Sequence, residues 1–366
     1  MAYFDYNATH PVSQKILAEL PGWAAYWQNP SSRHRPGQRV RGKIEEARET
    51  IAACLGVLHK EIFFTSGGTE SNHLALQGLS SCLAPGSLIL SSPTEHPCLL
   101  GALNKLKSRG FQIQLLPVDC NGVVTADVLK KHIHKASLVS LMQANNETGA
   151  ITDLHSISSL CREAKVLLHT DAVQALGKME LDLSLVDAAS LSAHKIGGLK
   201  GTGALFLRTG LKPEPVFLGG EQEKGIRPGT ENSLGILSFA AALKERSVLS
   251  PSVSELRDRF ESGLYALGSG YFQINGGSKR VGNTSSVTFF GFDGQSLVLQ
   301  LDMAGHFVSM GAACSSGSVK PSPVLIASGL SEADAKSTLR ISFGCYNEAS
   351  EVDSLLHSLR NILGLG

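Results

Sequence analysis

Short apolar runs alternate with helix-like stretches along the first two thirds of this chain. In 41–55 the apolar residues Ile44, Ala47, Ile51 and Leu55 recur at helical spacing, which predicts a helix with one buried face. Residues 61–65 then read as a short buried strand. Ser66, Gly67, Gly68 and Thr69 form a turn that opens a second helix, with Leu74, Ala75 and Leu76 inside it. Further apolar strands are expected at 87–91, 112–117, 138–143, 166–170, 188–192 and 204–207. Alternation of this kind predicts an α/β fold, a mostly parallel central sheet with helices on both faces. The 204–207 strand follows its neighbour after a short turn, so it is expected to run antiparallel.

The pattern changes near residue 250. A long helix at 252–267 precedes strands at 272–275 and 286–290 and helices at 294–303 and 348–363, which predicts a smaller α+β unit. The expected division is a large domain of 13–250 and a small domain of 1–12 with 251–366.

Composition adds exclusions. With 366 residues, 42% of them hydrophobic, the chain can bury a large core. A formal net charge of +1 provides no field for nucleic acid or an acidic membrane. No apolar run reaches the length of a membrane span. The N-terminal residues lack a basic region and a long apolar core, so a cytoplasmic location is expected. The seven cysteines are odd in number and form no CxxC pair, which argues against a disulfide framework and a structural zinc site. Most are expected to act as small buried hydrophobes, Cys54 and Cys161 above all. Cys314 differs: every neighbour in Gly311-Ala312-Ala313-Cys314-Ser315-Ser316-Gly317-Ser318 is small, as in a mobile loop that could carry a thiol to a reacting atom.

The candidate chemistry centres on Lys195. It lies in Leu191-Ser192-Ala193-His194-Lys195-Ile196-Gly197-Gly198, a tract with no other charge except the adjoining imidazole. It reads either as a surface lysine at a turn or as a desolvated nucleophile. Asp171 follows the apolar stretch Val166-Leu167-Leu168, where open α/β sheets bind ligands; a helix N-cap is its alternative role. Gln174, three residues on, would share a helical face with Asp171 and could donate a hydrogen bond to a bound ligand. An acid and a lysine near the ends of two strands meet the needs of a pyridoxal phosphate enzyme. The Gly68–Thr69 helix entry suits a phosphate. His96, in Thr94-Glu95-His96-Pro97, is either a loop histidine or an imidazole that stacks on a cofactor and moves protons. Asn146 lies in a polar turn, and Arg340 is a lone arginine in a strand-like run. A carboxylate clamp and a structural ion pair are both open for Arg340.

In this order the motifs resemble the cysteine desulfurases of the NifS/IscS type, in the class V aminotransferase family of fold-type I (aspartate aminotransferase-like) pyridoxal phosphate enzymes. The resemblance rests on the Phe4-Asp5-Tyr6-Asn7-Ala8-Thr9 start, Ser-Gly-Gly-Thr-Glu-Ser, Thr-Glu-His, Asn-Asn-Glu-Thr-Gly, the Asp171/Gln174 patch, Ser-Ala-His-Lys, Ala-Cys-Ser-Ser-Gly and Leu-Arg-Ile-Ser-Phe-Gly. It covers nearly the whole chain. His10 departs from it, standing where the family usually has a threonine, and so does the Asn72-His73 pair. The resemblance implies conversion of L-cysteine to L-alanine, with sulfur taken as a persulfide on Cys314 and passed to an acceptor protein for iron–sulfur cluster assembly or tRNA thiolation. It implies that Lys195 binds pyridoxal 5′-phosphate covalently and that Asp171 pairs with its ring nitrogen. Gln174 would contact the phenolic oxygen, and His96 would stack on the ring. Gly68, Thr69, Ser192 and His194 would hold the phosphate, joined by Thr230 from a second subunit of a homodimer. Asn146 and Arg340 would bind the substrate carboxylate. A cysteine or cystine C–S lyase, or a selenocysteine lyase, is the alternative within the same cofactor class.

Overall fold

The computed structural model of the protein describes residues 1–246, 251–268, 270–311 and 320–365. Cys314 lies outside the described residues. A two-residue strand, β1 (Ala2–Tyr3), opens the chain. The larger sheet holds β2 (Ile62–Thr65), β3 (Leu88–Ser91), β4 (Gln112–Leu115), β5 (Ala136–Ser140), β6 (Leu167–Asp171), β7 (Ala188–Ser192) and β8 (Gly203–Leu207). Their spatial order is β2-β8-β7-β6-β5-β3-β4. The pairs from β7 across to β4 are parallel, and β8 runs antiparallel to both β7 and β2. Strand order reverses between β3 and β5, which opens a crevice at the carboxyl ends of the strands.

Side-chain alternation along the strands separates two apolar layers. Leu90, Val139, Leu168, Ala189 and Phe206 face one layer with Ile44, Ile51, Ile157 and Phe239. Their strand neighbours Ile89, Leu138, Ala188 and Leu205 face the other, with Leu76, Leu79, Leu103 and Leu106. Helices therefore cover both faces. The helix Arg35–Leu55 buries Ile44, Ala47, Ile51 and Leu55 as its spacing predicts. It starts six residues before the expected 41–55 range, because His34 caps it, accepting from the Gly37 N–H at 3.1 Å, and Pro36 supplies a pre-set first turn.

A smaller antiparallel sheet contains β9 (Phe272–Asn275), β10 (Thr284–Phe289), β12 (Ser309–Met310) and β13 (Thr338–Ser342), in the order β12-β13-β10-β9; β11 (His306–Phe307) pairs in parallel with β1. Its own apolar cluster joins Phe260, Phe289, Leu339, Phe343 and Leu355 with Ala2 and Phe4 from the N-terminal segment. That segment then crosses to the larger sheet, where the His10 N–H donates to the His194 carbonyl at 3.0 Å.

The cysteines correct one expectation. Of those described only Cys161 is buried; Cys54, Cys82, Cys120 and Cys345 are exposed and Cys98 is half-buried. Cys54 sits beside the inward-facing Leu55, on the outer side of its helix. Among the described residues no helix is long and apolar enough to cross a membrane.

His169 carries a pH prediction. Inside β6 it bridges two neighbouring strands, Nδ1 to Ser140 Oγ at 2.9 Å and Nε2 to Ser190 Oγ at 3.0 Å. Burial pushes its imidazole down to about 3. The unfolded chain takes up that proton near pH 6.5, by the ordinary histidine value of about 6.5. This group's stabilisation is therefore complete above that pH and is lost progressively as the pH falls towards about 3. The urea midpoint is expected to fall between pH 6.5 and 4, and less steeply in His169→Gln, over a range of about 6.5 down to 4 set by these values. Equal slopes in the two proteins would exclude this role.

Candidate active site

A cavity of about 260 Å³ opens at the carboxyl ends of the larger sheet. Four strand ends supply it. β3 leads to His96, β5 to Met142 and Asn146, β6 ends on Asp171, and β7 ends on Ser192 before the short turn that carries His194 and Lys195. Gly68, Thr69 and Asn72 come from the start of the helix Gly68–Ser80. The N-terminal segment contributes Asn7 and Ala8, and the smaller sheet contributes Arg340.

Asp171 is buried and accepts from Asn72 Nδ2 at 2.6 Å and from the Val173 N–H at 3.0 Å. Burial raises its carboxyl above the usual range, and those two hydrogen bonds oppose the rise. The segment after it forms turns, not the helix that Asp171 and Gln174 were expected to share. Gln174 still reaches the cavity, because the turns fold its side chain back beneath the N-terminal segment, where Nε2 donates to the Asn7 carbonyl at 2.9 Å.

Lys195 Nζ donates to the carbonyls of Asn7 at 2.6 Å and Ala8 at 2.9 Å. His96 caps the helix Pro97–Ser108, and its Nδ1 accepts from the Cys98 N–H at 3.2 Å. An accepting Nδ1 leaves the ring proton on Nε2. Burial holds the His96 imidazole below its ordinary range, the Asp171 charge opposing this and the Lys195 charge adding to it. Cys98 Sγ lies 2.9 Å from His96 Nδ1, and burial pushes this thiol up to about 11.

Gly68 begins the helix that faces the cavity, where a Cβ would come within 2.7 Å of Val173 Cγ2. Gly67 before it has φ +150°, a backbone that side chains rarely adopt. The exposed amides of this helix start attract an anion. Glu70 in the same first turn is held by Arg227 at 2.9 Å and by the Ser66 N–H at 2.6 Å. Ser192 Oγ is buried in the cavity wall without a hydrogen-bond partner. His194 Nδ1 lies 3.1 Å from Thr9 Oγ1, and burial, helped by the Lys195 charge, pushes its imidazole down to about 4.

Arg340 is buried and forms an ion pair: Nη2 donates to Asp5 Oδ1 at 2.6 Å and Nη1 to the Asn146 carbonyl at 3.0 Å. Its Nε is buried without a partner. Thr230 is exposed and does not line the cavity. Asn7 was legible only within the N-terminal motif of the resemblance; Asn72 and Cys98, which line the cavity, and Lys178, which bonds to Asn7 and Gln174, carried no recognisable local signal. The nearest to one was Asn72, visible only as a departure from the family pattern.

The mostly parallel sheet, the reversal between β3 and β5 and the cavity at the strand ends fit fold-type I, the architecture of the aspartate aminotransferase-like transferases, and the family match and solved neighbours place the chain there. Residues 2–355 match the class-V aminotransferase family, and the chain belongs to that family, among its cysteine desulfurases of the NifS/IscS type. It is 39% identical over 373 residues to the cysteine desulfurase IscS 1 of Archaeoglobus fulgidus, covering 99% of this chain and 97% of the relative. It is 35% identical over 377 residues to the cysteine desulfurase NifS of Azotobacter vinelandii, covering 99% and 92%. A solved NifS-like protein superposes with a TM-score of 0.92 at 35% identity, covering 100% of both chains. SspA, solved in complex with cysteine, superposes with a TM-score of 0.85 at 33% identity, covering 95% of this chain and 100% of that one.

Proposed function

We propose that this chain is a pyridoxal phosphate-dependent cysteine desulfurase that converts L-cysteine to L-alanine and takes the sulfur on Cys314. The observation that carries this reading is the convergence of Asp171, Lys195, His96 and Arg340 on one cavity in a member of that family. The residues present fit the cofactor. Ser192 Oγ is an orphaned buried donor beside the amides of Gly68 and Thr69, which suits the phosphate with His194. A Cβ at Gly68 would close that cradle against Val173. Asp171, buried and already holding two donors, suits the ring nitrogen, and Lys195 is the lysine for covalent attachment. When bound, the ring supplies a sink for negative charge on the substrate's α-carbon.

The chain's own residues do the rest. Arg340 takes the substrate carboxylate through its guanidinium, beside the Asn146 carbonyl it already holds. Lys195 Nζ removes the α-proton and His96 Nε2 moves protons on the opposite side of the reaction. The Cys314 thiolate forms a bond to the substrate sulfur as the substrate's C–S bond breaks. L-cysteine and the Cys314 thiol thus become L-alanine and a Cys314 persulfide, and the sulfur passes to an acceptor protein. Gly311 lines the cavity three residues before Cys314, and three Cα–Cα steps span at most about 11 Å. A homodimer completes the phosphate site with the second copy's Thr230. The exposed apolar side chains of Phe217 (59%) and Leu218 (93%) support such an interface.

The test is an assay of purified protein loaded with pyridoxal phosphate: its visible spectrum, and alanine formed from L-cysteine with a reductant. A visible band with one sulfide released per alanine is expected. Absence of both would overturn the reading.

A further inference from the structure

Lys178 is a cost that the fold carries for no packing reason. The side chain is half-buried, and burial together with the like charges of Lys195, Arg340 and Arg246 pushes its amine well below the ordinary lysine range. Among the described residues no carboxylate pairs with it. A methionine would fill the same space without that penalty. What the amine does have is two oxygen acceptors. Nζ donates to Asn7 Oδ1 at 2.6 Å and to Gln174 Oε1.

Those bonds decide which end of Gln174 faces where. An amide has one accepting end and one donating end. Here Oε1 meets the Lys178 amine, and Nε2 donates to the Asn7 carbonyl at 2.9 Å. Exchanging the two ends would set Oε1 against the Asn7 carbonyl and the NH2 against the amine. With one Nε2 hydrogen on Asn7, the second is left for the cavity that Gln174 lines. Asn7 is held just as firmly. Its Nδ2 donates to Thr284 Oγ1 at 2.9 Å and its Oδ1 also accepts from Asn283 Nδ2 at 3.0 Å, so its main-chain carbonyl, shared by Gln174 and Lys195, stays in place.

We propose that Lys178 is a positioning residue: its amine fixes the Gln174 amide so that an N–H, and not the oxygen, is offered to an anionic oxygen of the bound ligand. This rests on the reading that the cavity takes pyridoxal phosphate, whose phenolic oxygen is such an acceptor. Without the amine the Gln174 amide can turn and present an acceptor to that oxygen, the arrangement an unpaired donor is there to prevent.

The experiment is a titration of the apo-protein with pyridoxal phosphate, read by affinity and by the position of the visible maximum, for wild type, Lys178→Met, Gln174→Ala and the double variant. Lys178→Met is expected to weaken binding about tenfold and to move the maximum. In the Gln174→Ala background the same change should have little further effect, because the two residues act as one unit. Lys178→Arg, which keeps a donor, should stay close to wild type, and it serves as the readout if the methionine variant does not fold. An unchanged affinity and maximum in Lys178→Met, equal losses in both backgrounds, or an arginine variant as weak as Gln174→Ala would overturn the assignment. If wild type takes up no pyridoxal phosphate, the cofactor reading itself falls, a result distinct from all of these.

Discussion

Replacing Lys195 with alanine is expected to lower alanine formation from L-cysteine by on the order of 10³-fold or more, the scale on which removal of a central catalytic group is felt. The fold should survive. Nζ donates to the main-chain carbonyls of Asn7 and Ala8 at 2.6 and 2.9 Å, and a hydrogen bond of this kind is worth about 0.5 to 1.5 kcal/mol. A thermal midpoint within a few degrees of wild type, with turnover nearly gone, separates chemistry from folding. Turnover within tenfold of wild type would remove Lys195 from the mechanism, by the conversion of rate to barrier of about 1.4 kcal/mol per decade.

Cys314→Ala is the second large effect. Persulfide on the protein should disappear, and alanine formation should fall by on the order of 10²-fold or more. One objection is that another cavity thiol takes over. Cys98 does line the cavity, but burial pushes it up to about 11. Such a thiol holds little of the reactive thiolate at pH 7, and Sγ is already engaged with His96 Nδ1 at 2.9 Å. Undiminished turnover of L-cysteine in Cys314→Ala, with pyruvate, ammonia and sulfide as products in place of alanine, would mean a C–S lyase, whose elimination needs no protein nucleophile. Measurement of protein-bound sulfur by alkylation and mass alongside alanine distinguishes the two.

Where a segment's fate is decided by its own side chains, the sequence was easy to read. The strands Ala188–Ser192 and Phe272–Asn275 and the helix Gly294–Met303 fall where the apolar pattern puts them, and β8 runs antiparallel as the short turn before it requires. The helix Gln14–Ala24 gave no such signal: Pro21 lies inside it and Ile16 is its one buried residue. The candidate residues on strand ends were legible because a polar side chain after an apolar run is conspicuous. Asn72 and Lys178 were not: Asn72 acts through Asp171, 99 positions away, and Lys178 through Asn7, 171 positions away, as well as through its near neighbour Gln174. Arg340 shows the remaining limit. Nothing in its strand-like run indicates that Asp5, 335 positions earlier, stands 2.6 Å from it.

The N-terminal segment has a consequence for how the protein is made. Asp5 and Asn7 leave the ribosome well before Arg340 and Ser342, which hold them and lie 335 positions later. A nascent chain can complete β2 to β8 and both of their apolar layers while one wall of the cavity still lacks its anchor. Until β13 is synthesised, the apolar cluster that Ala2 and Phe4 enter lacks Leu339 and Ile341, and Asn7 lacks its bond to Ser342. Long-range closures of this kind are slow and come late. The larger sheet can thus be structured well before the cavity wall is anchored, which waits until the N-terminal segment meets β13.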